Sequence, residues 1–437
     1  MKFFNKKRKP SESISVKPVV QDNVAHDAEN QTKLTNSEML EKVKKFNELL
    51  SSPYVGREEE AKVITLALIT KEHPLFLGDP GTGKSMLAER ACDLVDARIF
   101  KAQFNEYTEP IEINGHISTK GMMEEDVIRY ITKGMLPESD IAYCDEIFKA
   151  STAIRNTLLS IMNERKLLSG GNEIPAKTRM IIMASNEPPE DLESAFYDRL
   201  LLRHFVFPVK DDLENKLIAK AHELEFNKPK VPVEKAINLQ DLDEVFKRIG
   251  EIDVSKVMDK YYEIRKKLSA GPINLRMSDR RMGKALKVVA AHAFLEGREA
   301  ATVEDLIVLK YIVPKDAEEL NIVSGVLEAE LNPFSEMDRL RKSERNFKNE
   351  LEMIKSVPIT AIQSEKLIKE LSKAKEETEK WASMYANKEL REQASKVLVL
   401  IAEITGHLNV PKTEDARENE NPEQSSPIQI TSKLLRD

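Results

Sequence analysis

The fold is decided by one stretch of the sequence, Gly78-Asp79-Pro80-Gly81-Thr82-Gly83-Lys84-Ser85. It fits the pattern G-x-x-x-x-G-K-[ST] at every fixed position. The apolar residues 75–77 before it predict a strand, and the segment that starts at Met86 predicts a helix. Glycines let the backbone N–H groups of such a turn point at a polyphosphate, and the amino end of the helix adds positive charge there. The stretch therefore predicts a nucleotide-binding loop.

The chemistry of this loop gives a role to two of its side chains. Lys84 places a point charge on the β- and γ-phosphates of a nucleoside triphosphate, and Ser85 offers a hydroxyl oxygen to Mg²⁺. We therefore expect ATP and Mg²⁺ as cofactors. The nucleotide-binding residues predicted from this segment are Gly78, Asp79, Pro80, Gly81, Thr82, Gly83, Lys84, Ser85 and Met86.

Two later apolar runs each lead into polar residues. The first, 141–144, is followed by Asp145 and Glu146. We expect Asp145 to hold Mg²⁺ through water, and Glu146, which faces the other way, to polarise the attacking water. The second run, 180–184, leads to Asn186, which orients the same water if the two strands are neighbours. The alternative is that Asn186 only begins the turn that the following two prolines favour.

Short apolar runs alternate with amphipathic segments from about residue 74 to residue 209. This alternation is typical of a parallel sheet with helices on both faces, so the predicted fold class is an α/β core around a phosphate loop. The predicted strands are 74–77, 98–102, 141–144, 180–184 and 204–209, with helices at 84–95 and 151–164. Further along, where the strand signal ends, helices are predicted at 241–250, 254–268 and 279–296.

The changes of pattern along the chain predict five segments. These are a disordered basic arm at 1–37, a nucleotide-binding core at 38–211, an all-helical lid at 212–315, a C-terminal helical module at 316–408 and a disordered acidic tail at 409–437. Within the C-terminal module, Pro358 divides residues 336–408 into at least two helices. We expect an independent module there, a helical hairpin or a short coiled coil.

Composition excludes several classes of protein. Hydrophobic residues make up 41% of the 437 residues and charged residues 32%, which rules out a fully disordered or membrane-embedded chain. No apolar run approaches the roughly 20 residues that span a bilayer. Cys92 and Cys144 are too few for a disulfide framework, and no apolar segment follows the basic N-terminus, so we expect a cytoplasmic protein. The net charge of -7 argues against a globally basic nucleic-acid binder.

The phosphate loop, the acidic strand end and Asn186, in this order, resemble the AAA+ ATPases. Further segments narrow the resemblance to the MoxR family, with RavA-like members most similar, and it covers about residues 38–315. The segments that carry it are Val55-Gly56-Arg57-Glu58, Gly134-Met135-Leu136-Pro137, Asp145-Glu146-Ile147-Phe148-Lys149-Ala150, Asn156-Thr157-Leu158-Leu159, Asn163-Glu164-Arg165, Ala184-Ser185-Asn186-Glu187-Pro188-Pro189, Tyr197-Asp198-Arg199-Leu200 and Ser278-Asp279-Arg280-Arg281.

The resemblance implies a ring, usually of six subunits, with ATP at each boundary between subunits. It implies that Val55 and Gly56 lie against the adenine. It also implies that Arg199 is an arginine finger, which reaches into the neighbouring site and stabilises the transferring phosphoryl group. Two other readings remain open for the finger: Arg203, four residues later, could take that role, or both arginines could form a surface pair near Asp198.

Within the same resemblance, Arg280 would be the second sensor of the nucleotide, on a helix of the lid. Arg281 is the alternative, since adjacent residues on a helix cannot both face one phosphate.

Two insertions resemble features of the same branch. Residues 105–133 look like the helix-2 insert, and residues 165–178, which contain a Gly-Gly turn, look like the hairpin before the first sensor. In a ring both would project toward the pore. Three side chains, Tyr107, Met122 and Met123, would then either touch a substrate or pack against the core.

The leading functional hypothesis is an ATP-driven ring that remodels or assembles protein complexes in a chaperone-like manner. The resemblance implies a separate partner with a von Willebrand factor A domain, since this chain has no Asp-x-Ser-x-Ser motif. One alternative is a nucleic-acid motor, which the three basic and six acidic residues of segment 105–133 disfavour. The other is a nucleotide-sensing scaffold with negligible turnover, which the joint presence of Glu146, Asn186 and Arg199 disfavours.

Overall fold

The computed structural model describes residues 35–124, 130–169, 172–192, 194–209, 211–226, 234–271, 274–356 and 361–409. The predicted arm and tail lie outside the described residues, apart from their innermost positions. The Gly-Gly turn of the predicted hairpin lies outside them as well. In the part of the chain that is described, no helix combines the length and apolar character needed to cross a membrane.

The central feature of the fold is a parallel sheet in the order β10-β1-β9-β6-β3. In its register, Pro74 lies opposite Leu202, and Ile141 lies opposite Met180. This confirms the predicted α/β fold class. The strands are β1 (Pro74–Gly78), β2 (Val95–Asp96), β3 (Ile99–Gln103), β4 (His116–Ile117), β5 (Tyr130–Ile131), β6 (Ile141–Asp145), β7 (Lys166–Ser169), β8 (Asn172–Pro175), β9 (Met180–Ser185), β10 (Leu202–Val206) and β11 (Ile237–Asn238).

Helices cover the sheet and build the rest of the chain. They are α1 (Asn36–Ser51), α2 (Glu58–Thr70), α3 (Lys84–Leu94), α4 (Ile111–Asn114), α5 (Thr119–Glu124), α6 (Thr152–Glu164), α7 (Ala195–Arg199), α8 (Asp211–Phe226), α9 (Leu239–Gly250), α10 (Met258–Ala270), α11 (Asp279–Leu295), α12 (Ala317–Leu331), α13 (Pro333–Ser356), α14 (Ala361–Met384) and α15 (Lys388–Leu408). A 3₁₀ helix, Val303–Tyr311, links α11 to α12.

Both faces of the sheet are buried, which is why its strands read as nearly continuous apolar runs. On one face Leu75, Cys144 and Met183 form a cluster with Leu158 of α6. On the other face α2 and α3 lie against the strands. Cys92 on α3 is buried too, and burial raises the pKa of its thiol to about 12. Both cysteines are therefore packed side chains.

The strand predicted at 204–209 is displaced in the structure. It begins at Leu202 and ends at Val206. Pro208 follows closely, and a proline has no N–H group to donate to a neighbouring strand. The apolar signal of Phe207 is therefore not a strand signal, and its side chain is exposed.

The lid is anchored to the core through a buried carboxylate. Helix α2 lies between the sheet and helices α9 and α11 of the lid. Just after α2, Glu72 accepts hydrogen bonds from Lys284 Nζ at 2.9 Å and Lys287 Nζ at 2.5 Å, both from α11. Removing one partner of such a pair would leave a buried charge uncompensated. The contact therefore holds α11 against the core of the same chain.

Residues 336–408 of the C-terminal module form three helices, α13, α14 and α15, where the sequence predicted at least two. Helix α15 packs against both α13 and α14. The second break falls at Asn387, whose side-chain oxygen accepts a hydrogen bond from Leu390 N at 3.2 Å and caps α15. No proline or glycine marks this break, and the capping asparagine is its local signal.

The module is not independent of the lid. Val303, from the 3₁₀ helix, belongs to the same buried cluster as Leu390 and Val397 of α15. Next to it, the Glu304 carboxylate accepts hydrogen bonds from Ala386 N at 2.9 Å and Asn387 N at 3.2 Å. These backbone groups lie in the turn between α14 and α15, so the lid holds that turn in place.

Glu304→Ala should loosen the C-terminal module. The substitution leaves two backbone N–H groups of the α14–α15 turn without their acceptor, which we expect to lower the free energy of unfolding by about 1–3 kcal/mol. Urea unfolding and limited proteolysis of residues 361–409 measure the effect. The matched control is Glu299→Ala, because the Glu299 side chain is 85% exposed. Equal unfolding curves for the two variants would contradict this contact.

Candidate nucleotide-binding site

The phosphate loop joins β1 to α3 in a conformation that needs its glycines. Gly81 and Gly83 have φ angles of +79° and +85°, in the left-handed region that favours glycine. A Cβ atom at Gly78 would lie 2.2 Å from the carbonyl oxygen of Val206 on the neighbouring strand β10. The start of the loop, at Gly78, therefore lies tightly against the backbone of β10. At Gly81 and Gly83 the loop has open space around it.

Lys84 lies inside the cradle that the loop forms. Its Nζ donates to the carbonyl oxygens of Gly78 at 2.6 Å and Asp79 at 2.8 Å, and to Asn186 Oδ1 at 3.1 Å. Burial lowers the pKa of Lys84, and the carboxylates of Asp145 and Glu146 act in the opposite direction. The ammonium group thus lies where it can exchange these neutral acceptors for phosphate oxygens.

Ser85 and Asp145 form the oxygen-rich side of the site. The Ser85 hydroxyl donates to Asp145 Oδ2 at 3.2 Å. Asp145 ends β6, and Ser85 lies in the first turn of α3. A hydroxyl and a carboxylate beside a phosphate cradle are the oxygen ligands that Mg²⁺ prefers. The donor set therefore fits the predicted metal.

Glu146 lies just past the end of β6 and is buried. Its backbone has a φ of 53°, which is unusual for a residue other than glycine. Its carboxylate accepts a hydrogen bond from Asn186 Nδ2 at 2.6 Å and lies 3.4 Å from Lys149 Nζ. Because Asn186 also accepts from Lys84, one amide links the predicted base to the phosphate-binding lysine.

The strand that leads to Asn186 is a direct neighbour of the acidic strand, since β9 pairs with β6. This was the condition on which the predicted role of Asn186 depended. Lys149 was not singled out from the sequence. Lys149 follows Glu146 by three residues. In a short 3₁₀ turn this spacing places the two side chains on the same side, which is the one indication the sequence offers.

The residues predicted to contact the adenine lie beside the start of α3. Tyr54, another residue that the sequence did not single out, donates its hydroxyl to the carbonyl oxygen of Met86 at 3.2 Å. Val55 is partly exposed, and Gly56 has a φ of +68°. A Cβ at Gly56 would contact Val209 between β10 and α8. Val55, Gly56 and Met86 thus border one surface between the loop and the β10–α8 connection.

The predicted finger lies at the opposite edge of the sheet from its own phosphate loop. Arg199 ends α7, just before β10, and the register pairs the first residues of β10 and β1. Parallel strands of five residues separate the two edges by roughly 13 Å. Arg199 is partly exposed, and its only recorded hydrogen bond within the described residues is a 3.4 Å contact with Ala195 O.

The alternative finger, Arg203, is placed differently. It is 3% exposed, donates to the carbonyl oxygen of Ile312 at 3.1 Å and holds its guanidinium 4.6 Å from the ring centroid of Tyr197. A side chain held in this way cannot extend into a neighbouring subunit. The two arginines near Asp198 are therefore not an equivalent surface pair, because Arg203 is buried and Arg199 is partly exposed.

The two arginines predicted as second sensors lie at this same edge. Arg281 is buried and donates to backbone carbonyl oxygens, among them those of Asp198 and Leu200 at 2.9 Å each. Arg280 is exposed and donates to Asn163 Oδ1 at the end of α6, at 3.3 Å. Neither side chain faces the phosphate loop of its own chain. Arg281 is thus held by bonds to the backbone and Arg280 is exposed, and the role of either as second sensor stays a prediction.

The two predicted insertions have the expected form. Strands β7 and β8 pair as an antiparallel hairpin, and β4 and β5 do the same in the first insert. Tyr107 and Met123 are each 87% exposed, and Met122 is exposed as well. The reading in which these three side chains pack against the core is therefore wrong.

The sheet order, the phosphate loop that follows β1 between β10 and β9, and the helical lid together define the AAA+ class of P-loop proteins. Comparison with known proteins agrees. A family model described as the MoxR domain in the MoxR-vWA-beta-propeller ternary systems matches residues 41–247, and one described as an AAA lid domain matches residues 256–327. The chain therefore belongs to the MoxR family of AAA+ ATPases. The narrower likeness to RavA stays a prediction.

Individual proteins and one solved structure are also similar to this chain. The uncharacterized protein MJ0079 of Methanocaldococcus jannaschii is 36% identical over 323 residues, 73% of this chain and 82% of that protein. Chaperone MoxR1 of Mycobacterium tuberculosis is 28% identical over 155 residues, 34% of this chain and 40% of its own length. A crystal structure of a candidate ATPase from Cytophaga hutchinsonii superposes with a TM-score of 0.54 at 18% identity, over 68% of this chain and 95% of that one, which shows the shared fold.

Lys84→Ala should weaken ATP binding by about 10–100-fold, because charge-assisted hydrogen bonds to phosphate are lost. Titration calorimetry measures the affinity. The control is Lys101→Ala, an exposed lysine whose side chain lies 3.5 Å from Glu89 and away from the loop. Unchanged ATP affinity in Lys84→Ala would show that the phosphates bind elsewhere.

Proposed function

We propose that the protein hydrolyses ATP at the edge of the sheet where β1, β6 and β9 end. The observation that carries this proposal is the convergence of Lys84, Ser85, Asp145, Glu146 and Asn186 at that edge, with Asn186 bonded to both Lys84 and Glu146. A site that only held a nucleotide would need the first three residues. The base and the amide beside it are the parts that hydrolysis requires.

Each residue has a distinct task in this mechanism. The loop N–H groups and Lys84 hold the phosphates, and Ser85 and Asp145 hold Mg²⁺, which supplies charge neutralisation at the transferring phosphoryl group. Glu146 takes a proton from the attacking water. In the present arrangement its carboxylate is engaged by Asn186 and Lys149, so it must exchange one of these partners for the water before it can act.

We propose further that the active form is a ring, usually of six subunits, with sites shared between neighbours. The position of Arg199 supports this. It cannot reach its own phosphate loop, whereas in a head-to-tail ring the edge that carries it would face the loop of the next subunit. Arg280, exposed at the same edge, would serve that shared site as second sensor. Its positive charge would then interact with the phosphates of the nucleotide bound to the neighbouring subunit.

The cellular role we propose is the remodelling or assembly of protein complexes in a chaperone-like manner, in the cytoplasm. Two observations support it: the likeness to a protein named chaperone MoxR1, and the exposure of Tyr107 and Met123 on the first insert. Exposed aromatic and methionine side chains suit adaptable contacts with protein substrates. The description of the matching MoxR family model supports a separate von Willebrand factor A domain partner.

Glu146→Gln should bind ATP with nearly unchanged affinity and lose turnover by about 10²-fold or more. The amide keeps the size of the carboxylate but cannot accept the proton of the attacking water. Phosphate release under saturating ATP measures turnover, and calorimetry measures affinity. Lys149→Met is the companion variant: it frees one carboxylate oxygen of Glu146 and should retain turnover. Normal hydrolysis by Glu146→Gln would place the base at another residue.

Mixing two inactive variants tests the shared site. Arg199→Ala has an intact phosphate loop and should hydrolyse poorly, whereas Lys84→Ala has an intact finger. If subunits exchange at random, about a quarter of the boundaries in an equal mixture pair an intact loop with an intact finger. ATPase activity should return in proportion, and it should depend on protein concentration, as assembly does.

The control for this mixture is Arg199→Ala combined with a double variant that carries both Lys84→Ala and Arg199→Ala. No boundary in that mixture has an intact finger, so activity should stay absent. Light scattering establishes that the variants assemble together. Equal activity in the two mixtures would rule out Arg199 as a residue that acts on the neighbouring subunit.

A further inference from the structure

A cavity lies near the amino ends of the strands, away from the phosphate loop. It has a volume of about 130 Å³ and lies where α7, β10, the start of α11 and the segment after the 3₁₀ helix meet. Part of its wall is apolar. Among the described residues, its charged lining consists of four bases and one acid, namely Arg203, Arg276, Arg281, Lys315 and Asp198.

Two of these bases are buried without a carboxylate partner. Arg203 and Arg281 are each 3% exposed, and both donate to the carbonyl oxygen of Ile312. The other hydrogen bonds of Arg281 also go to backbone carbonyl oxygens. Within the described residues, neither guanidinium forms an ion pair, and Arg203 Nε has no hydrogen-bond partner.

The acids nearby are engaged by other groups. Asp198 accepts a hydrogen bond from the Ser278 hydroxyl at 3.1 Å. Glu72, the other acid that acts on Arg281, accepts from Lys284 and Lys287. Glu319, a further acid that acts on Arg203, accepts from Lys315 N at 2.7 Å. Within the described lining, the buried charges of Arg203 and Arg281 face the single carboxylate of Asp198, so positive charge is in excess.

This excess is costly for the fold. Burial lowers the pKa of Arg281, and the facing charge of Arg203 lowers it further. Two like charges held side by side away from water repel each other strongly, and a buried charge is tolerated when a counter-charge accompanies it. An anion in the cavity would supply that counter-charge.

We propose that the cavity binds one phosphate-sized oxyanion, held by Arg203 and Arg276 and balanced against the charge of Arg281. One water occupies about 30 Å³ of liquid, so the cavity accommodates a tetrahedral oxyanion or a few waters and is too small for a nucleotide. The planar fork of a guanidinium matches the oxygens of such an anion better than it matches a spherical halide.

The cavity wall joins parts of the chain that carry the predicted finger and the lid. Asp198 lies next to Arg199 on α7, and Arg203 lies on β10. Arg276 lies in the lid, just before α11 begins at Asp279. An oxyanion bound to these elements would stabilise the joint between core and lid. Its source is either free phosphate or a phosphate of the neighbouring subunit's nucleotide. The enclosed position of Arg203 favours free phosphate, and binding does not require that the protein hydrolyses ATP.

Thermal unfolding of the full chain tests the proposal. The protein is first saturated with ADP and Mg²⁺, so that the phosphate loop is filled, and is then titrated with sodium phosphate or with sodium chloride of equal ionic strength. Phosphate should raise the unfolding midpoint by a few degrees more than chloride does, since a ligand that binds the folded state stabilises it. Lys84→Ala, titrated without ADP, should keep this response.

Substitutions at the rim separate a built site from general salt effects. Arg276→Ala should weaken the apparent phosphate affinity about tenfold, and Arg203→Met should abolish the response. Arg276 is exposed, so its substitution leaves the core intact even if Arg203→Met does not fold. Arg345→Ala, an exposed arginine of α13, is the matched control and should titrate like the unaltered chain.

Three results would overturn the proposal. Equal effects of phosphate and chloride would mean that only ionic strength acts. An unchanged titration of Arg276→Ala would place the anion elsewhere. A response that disappears when light scattering shows the protein to be monomeric would mean that the phosphate belongs to a neighbour's nucleotide.

Discussion

The parallel pairing of β1 with β10 is the constraint on which the rest of the structure depends. Gly78 and Val206 lie side by side at one end of this pair, and Pro74 and Leu202 lie at the other. The phosphate loop follows β1 at the end marked by Gly78. Helix α7, which ends at Arg199, precedes β10 at the end marked by Leu202. Because the pairing is parallel, the loop and the predicted finger are held at opposite edges. In the proposed ring, Arg199 would therefore act on the site of a neighbouring subunit.

The phosphate loop, the buried strands and the polar residues at the strand ends could be predicted from the sequence for physical reasons. The phosphate loop needs glycines at fixed positions and a strand before it, so its pattern specifies both chemistry and local fold. The buried parallel strands read as apolar runs, and polar residues such as Asp145 and Asn186 mark the ends of two of them. The pairing of β6 with β9, on which the role of Asn186 depended, is the part that only the structure supplied.

The sequence was less informative where long-range contacts decide the outcome. Arg199 and Arg203 look alike in the chain, yet one ends a helix at the surface and the other is buried under Tyr197. Arg280 and Arg281 differ in the same way, because the helix turns one toward the core and the other toward solvent. The sequence predicted at least two helices at 336–408 but did not place the boundary at Asn387, because an N-capping asparagine is its one local signal.

The bonds of Arg281 also have a consequence for how this joint can change over generations. Its acceptors are main-chain oxygens, which every amino acid provides, so this contact places no demand on the side chains of the residues that supply them. The arginine has no such freedom, because only its planar fork spans several carbonyl groups at once. The sequence constraint that this contact imposes therefore falls on Arg281 alone, whereas Leu200, Leu201 and Ile312 are constrained by their burial.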